Sequence, residues 1–288
     1  MKNRNRMAAR AFALPALVTM IVIMIVPFLF SIYISFNDVN LLENGGKFVW
    51  AGIKNYKTFF TDSRARNSVV VSLKFLLGAL AVETVLGIAI SAFLDRKFRF
   101  KGIVRALIIV PMFMTPVVSG LIWRAFFDPN AGIVSYMYQL IFHHKLDMLG
   151  STSGALWALI IVDMWQWTPF MILLIMASLD GLSEDAVEAA KVEGANELHI
   201  ITRVKIPMIK PTIYMAMMIR AIDALKIFDA IFVMTKGGPG SATETMNMYS
   251  YVVGFNFYRI GYATTISFIF TMVVTVVLSK LMQRTNNL

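Results

Sequence analysis

Residues 181–207 read GLSEDAVEAAKVEGANELHIITRVKIP and stand between two long apolar runs. The stretch gathers acid in a chain that is elsewhere apolar or basic: Glu184, Asp185, Glu188, Glu193 and Glu197 all fall in it. Its order spells a short amphipathic helix, a turn and a second short helix. Ser183 is a candidate N-cap, because its hydroxyl can accept an orphan backbone N–H. Glu184 and Asp185 follow in the first turn, where carboxylates suit the helix dipole. Ala186, Ala189 and Ala190 leave one face small enough for close approach by another protein. Gly194 breaks the helix and Pro207 limits what comes next. On composition alone the stretch is a solvated loop between two membrane helices.

The rest of the chain fits that setting. Apolar residues make up 58% of the 288 positions, and the mean hydropathy of +0.68 is beyond that of an ordinary soluble domain. There is no cysteine, so neither a disulfide framework nor thiolate-bound zinc is available. The net charge of +10 raises the question of nucleic acid. The basic residues, however, cluster at the ends of apolar runs, where they orient a membrane protein.

Six apolar runs are expected to span a bilayer, at about 12–36, 69–94, 106–127, 155–179, 209–235 and 263–281. All but the fifth, which carries charges, are near the ~20 apolar residues that crossing needs. Lys2, Arg4, Arg6 and Arg10 precede the first run, which is longer than a signal peptide's apolar region and lacks a small-residue cleavage site. With that start inside, the inner segments, together with Lys210 and Lys280 at the adjoining span ends, hold fifteen Lys and Arg and the outer loops eight. The asymmetry favours an all-α membrane protein with both termini cytoplasmic and residues 181–207 cytoplasmic between spans four and five. No repeat or linker appears, so residues 1–288 are read as one membrane domain, its core about 67–284.

Glu188-Ala189-Ala190, three residues, Gly194, nine residues, then Val204-Lys205-Ile206-Pro207 resembles the EAA loop of binding-protein-dependent ABC importer permeases. Val204 and Ile206 stand where that family has Ile and Leu. Spacing held over twenty residues is a specific signal. A second string resembles the FD…T-x-GGP signature of carbohydrate importer permeases, the class of the maltose and glycerol-3-phosphate first subunits. It comprises Phe228-Asp229, Thr235, Gly237-Gly238-Pro239, Thr243 and Thr245. Phe36-Asn37, Asn55-Tyr56 and Tyr258-Arg259-x-Gly261-Tyr262-Ala263 fit the same class. The chain lacks the large external insertion that some maltose permeases carry.

The polar residues inside the apolar runs carry a further signal. Charge in hydrocarbon costs at least ~2.5 kcal/mol per Asp, Lys or Arg, so Glu83, Asp163, Arg220, Asp223, Lys226 and Asp229 must face protein, water or each other. Arg220, Asp223 and Lys226 are spaced so that Asp223 can pair with either neighbour. They form either a polar gate or an ion-pair network that fixes packing. Glu83 shares a stripe with Ala79, Gly87 and Ser91, which points to close helix packing. Asp163, Trp165, Gln166 and Trp167 combine aromatic and polar groups that suit either a sugar or a membrane interface, whereas Trp157 suits the interface. Asp163, Gln166, Asp223 and Asp229 are therefore candidates for a solute pathway or gate. Adjacent His143 and His144 do not share a helix face as metal ligands would. No phosphate-binding G-x-x-x-x-G-K-[ST], HExxH or GxSxG occurs.

The resemblance implies a heteromeric importer. Its other parts are a second homologous permease subunit, an ATPase dimer that binds the ATP and magnesium, and an extracytoplasmic solute-binding protein. It implies residence in the inner membrane of a bacterium or archaeon, in contact with lipid and not nucleic acid, and no enzymatic role for this chain. Glu188, Ala189, Ala190, Gly194 and Pro207 become the ATPase-coupling element, and the Gly237-Gly238-Pro239 turn a candidate binding-protein contact. The rival is an ion-coupled secondary transporter acting alone, with the fifth-run charges as a relay.

Overall fold

The computed structural model describes residues 12, 14–96 and 98–285. The N-terminal cluster Lys2, Arg4, Arg6 and Arg10 lies outside them. In chain order the elements are α1 (Leu14–Ser35), a two-residue ladder of β1 (Asn37–Asp38) with β2 (Val49–Trp50), and α2 (Lys54–Thr61). Then come α3 (Ser63–Asp95), α4 (Lys101–Phe113), α5 (Pro116–Phe126), α6 (Ile133–Phe142), α7 (Thr152–Asp180) and α8 (Glu184–Val192). α9 runs through Glu197–His199, a π stretch Ile200–Lys205 and a last turn Ile206–Met208. α10 (Lys210–Leu225), α11 (Asp229–Met234), α12 (Met246–Tyr251) with a π continuation Val252–Asn256, and α13 (Ile260–Thr285) complete the chain.

Four of the expected spans are single helices long and apolar enough to cross a bilayer, namely α1, α3, α7 and the Ile260–Val277 part of α13. The other two differ from expectation for identifiable reasons. The third is broken into α4 and α5, which meet at 99°. Pro116 biases the residue before it away from helix, and Thr115 is extended at ψ 144°, its hydroxyl capping Val118 N–H. The fifth is not one helix either. α10 has 16 residues, about 24 Å, and ends at Leu225. Residues 226–228 are non-helical before the six residues of α11. Pro27 shows a milder response: the turn before it, Ile21–Ile25, widens into a π stretch.

The chain divides into two compact units, residues 1–65 with 249–273, and residues 66–248 with 274–288. In the first, Asn55 Nδ2 donates to Ser35 O and Asn37 O, both at 3.0 Å, and Tyr56 OH bonds Ser35 Oγ at 2.7 Å. These bonds give a physical reason for the Phe36-Asn37 and Asn55-Tyr56 strings. Gly261 is equally constrained, because a Cβ there would lie 2.1 Å from Asn37 O. Asp62 is the polar hub of this unit. Its carboxylate accepts from Tyr249 OH (2.5 Å), Tyr262 OH (2.6 Å) and the Arg64 N–H (2.9 Å) that opens α3.

In the second unit α7 is the central helix, with 61% of its apolar window buried against 28% for α3. The stripe of Ala79, Glu83, Gly87 and Ser91 on α3 is buried. A Cβ on Gly87 would meet Met171 Cβ at 2.8 Å, and one on Gly78 would meet Ile160 Cδ1 at 2.7 Å. Small residues thus let α3 approach α7 closely, as the four-residue spacing predicts. Gly120 does the same for α5 against α11, where a Cβ would meet Val233 at 2.5 Å.

Candidate functional sites

The EAA-like stretch forms the expected pair of short helices, α8 and α9. Ser183 has the extended backbone of an N-cap (ψ 141°), but its hydroxyl makes no capping bond. The end of α8 is more firmly specified. Gly194 takes φ +81°, which only glycine adopts cheaply. Its N–H bonds Lys191 O, and the next N–H, of Ala195, bonds Ala190 O. This is a Schellman closure. Asn196 Oδ1 then caps α9 through His199 N–H at 2.8 Å. Pro207 does not stop α9, which continues to Met208.

α9 is the anchor and α8 the projection. Ile200 and Ile201 are buried. Ile201 and Ile206 border the same pocket as Ile88 of α3 and Ile175 of α7. Lys205 Nζ reaches Asp95 Oδ2 at 2.5 Å, tying α9 to the end of α3. On α8, by contrast, Glu188 and Ala189 are exposed and Ala190 is half-buried. Val192, near the end of α8, is 89% exposed. α8 thus exposes Glu188, Ala189 and Val192, while Ala186, Val187 and Ala190 are half-buried.

A second site lies where α10 breaks. Asp163, Gln166, Asp223 and Asp229, the four solute-path candidates, line one cavity of about 250 Å³. Pro116, Trp167, Arg220, Lys226 and Phe228 complete much of its wall. The break supplies Phe228 and Asp229, while Trp167 comes from α7 one turn below Asp163.

The charge pairing differs from that expected. Asp223 pairs with neither Arg220 nor Lys226. Arg220, 1% exposed, instead forks both Glu83 carboxylate oxygens through Nε and Nη2 at 2.8 Å, and Nη2 also reaches Asp163 Oδ2 at 2.8 Å. Its guanidinium lies 4.9 Å from the Trp167 ring centre. Glu83 does bond a neighbouring helix, as its stripe suggests. Asp223, Lys226 and Asp229 are exposed to the cavity side of the broken helix, with no ion-pair partner among the described residues. Gln166 Nε2 donates to Met114 O at 2.8 Å, at the bend between α4 and α5. Trp157 is 53% exposed, in keeping with an interface role.

The Gly237-Gly238-Pro239 turn is tightly held. Gly237 has φ +88° and the Gly238–Pro239 bond is cis. Thr243 Oγ1 bonds Gly238 O and Thr235 Oγ1, both at 2.8 Å. Asn67 Nδ2 donates to Ser241 O at 2.9 Å. Gly237 is buried and Gly238 and Pro239 half-buried, so the turn presents mainly Lys236 and Gly240. His143 closes α6 in a left-handed conformation, and His143 and His144 are both exposed.

The model of the family described as "Binding-protein-dependent transport system inner membrane component" matches residues 83–287. A probable ABC transporter permease of Sinorhizobium fredii is 34% identical over 273 residues, covering 95% of this chain and 88% of the relative. The trehalose/maltose transport system permease of Thermococcus litoralis is 29% identical, covering 91% and 86%. A crystal structure of a bacterial alginate ABC transporter, in complex with an alginate pentasaccharide-bound periplasmic protein, superimposes with a TM-score of 0.84. It is 18% identical and covers 96% of this chain and 93% of that one.

Proposed function

This chain belongs to the family of binding-protein-dependent transport system inner membrane components, and from that premise we propose that it carries a saccharide or related polyol, glycoside or glycerol phosphate inward by alternating access. It is a multi-pass membrane protein and the transport subunit of an ABC importer. The lone ion-coupled transporter gives way to this reading. The carbohydrate class is supported by the names of relatives that transport trehalose and maltose and by the aromatic and polar lining of the Asp163 cavity.

The mechanism uses the two sites in series. α8 is the element that the ATPase dimer grips, with Glu188, Ala189 and Ala190 on the gripped helix and Gly194 fixing its angle. α9, down to Pro207, transmits the movement to α3 and α10. ATP and magnesium belong to the ATPase partner. Nucleotide binding biases two arrangements that the bundle already possesses. In one, the Asp163 cavity opens outward to a solute-binding protein docked near the Gly237–Pro239 turn. In the other it opens inward. A second permease subunit completes the pathway. Six crossings, both termini cytoplasmic and 181–207 inside complete the proposed topology in a bacterial or archaeal inner membrane, with residues 1–288 as one functional domain.

The observation that carries the reading is a short α8 that exposes Glu188 and Ala189 beside an anchored α9. Co-purification of this chain with an ATPase subunit, followed by ATPase assays against a panel of solute-binding proteins, tests it. No capture of an ATPase through residues 184–206 would end the proposal.

A further inference from the structure

The charges around the Asp163 cavity can be counted. Asp163, Asp223 and Asp229 line it together with Arg220 and Lys226. Glu83 stands directly behind Arg220. Four carboxylates thus face two cations, and the balance is negative.

Most of the Arg220 guanidinium is already committed within the protein. Its Nε and Nη2 are committed to Glu83 and Asp163 at 2.8 Å, and Trp167 lies against it. Lys226 is the remaining cation, set three residues from both Asp223 and Asp229. The hydrogen-bonding character points the same way. Gln166 is 2% exposed and gives its amide N–H to Met114 O, leaving its Oε1 acceptor with no partner among the described residues. The free polar atoms of the wall are therefore mostly acceptors: Gln166 Oε1 and the Asp223 and Asp229 carboxylates. They suit a solute rich in O–H donors. A solute carboxylate, phosphate or sulfonate offers acceptors and a repelling charge.

We propose that this cavity selects uncharged polyhydroxylated solutes and refuses their anionic counterparts. The proposal rests on the cavity being the solute site, as argued above. It narrows the saccharide class proposed above, within which a relative is a trehalose/maltose permease.

The test uses the assembled transporter in nanodiscs without its binding protein, so that the selectivity read is that of the membrane subunits. Saturation-transfer NMR compares trehalose and maltose with trehalose 6-phosphate and maltobionate. The anions should bind roughly tenfold more weakly than their uncharged partners, since like charges in a confined site cost that much or more. Asp223→Asn with Asp229→Asn should narrow the gap without weakening trehalose or maltose to the same extent. Anions that bind as well as the uncharged sugars, or a gap the double variant leaves untouched, would overturn the charge inference alone. Asp229→Trp, which plugs the cavity from an exposed position, separates the underlying reading. If sugar binding survives the plug, or no saccharide binds at all, the cavity itself is not the site and the inference falls with it.

Discussion

Arg220 on α10 and Glu83 on α3 form a two-pronged ion pair, both bonds 2.8 Å long and both side chains 1% exposed. Breaking a buried pair by removing one partner costs about 3–5 kcal/mol, because the other charge is left uncompensated. Arg220→Ala strands two carboxylates and should lower the melting temperature of the purified protein sharply. Glu83→Ala leaves Arg220 with Asp163 and should cost less. The double variant should be more stable than the sum of the two losses. Unchanged melting of Arg220→Ala would show that the pair does not hold these helices together.

Glycine tolerance should divide by location. A Cβ at Gly87 would stand 2.8 Å from Met171 Cβ, whereas one at Gly102 in α4 meets nothing within 4 Å. Gly87→Leu overpacks the α3–α7 seam, at about 1–3 kcal/mol. Gly102→Ala should be neutral or stabilising by up to about 1 kcal/mol, through helix propensity. Thermal unfolding of the two variants checks the contrast, and equal melting would contradict the close approach.

The contrast bears on what the residues alone reveal. Gly87 was readable because its stripe has helical spacing, and the helix pair of residues 181–207 because Gly194 must end α8. Four spans were readable from their length. The partner of Arg220 was not, since Glu83 is 137 positions away and Asp163 57, while Asp223 three residues on is the local choice. Burial in a common core overrode local spacing. Charges marked the fifth run as weak, but nothing local fixes the break at 226–228. The cavity candidates Asp163, Gln166, Asp223 and Asp229 came from their chemistry. Trp167, Lys226 and Phe228 joined them only through the fold. Asp62 carries no local signal, because its tyrosine partners lie 187 and 200 positions later.

Asp62 should give the protein an acid-sensitive stability. Burial alone pushes its carboxyl up, but hydroxyls of Tyr249 and Tyr262 and the N–H groups of Ala65 and Arg64 donate to the carboxylate and hold it below the usual range. A carboxyl depressed in the folded state stabilises above its unfolded pKa, about 3.9. That contribution is lost as pH falls through the lower folded value. Asp62→Asn should therefore melt lower at pH 7 and show a flatter stability profile below about pH 5. Parallel profiles for the two proteins would refute the assignment.

The coupling assignment is tested by separating α8's surface from its support. Glu188 is exposed and makes no hydrogen bond or ion pair among the described residues, so Glu188→Arg should leave expression and melting unchanged. If an ATPase grips this helix, the reversed charge should abolish solute-stimulated ATP hydrolysis in the assembled complex. Lys205→Met acts on the support instead. It removes the 2.5 Å tie to Asp95, whose side chain is 16% exposed, and loosens α9 from α3 without altering α8. ATPase subunits should then still co-purify, but hydrolysis should become partly independent of the binding protein, because α9 no longer transmits the state of the bundle. A Glu188→Arg complex with normal uptake would remove α8 from the mechanism. A Lys205→Met complex with fully coupled hydrolysis would confine α9 to a packing role.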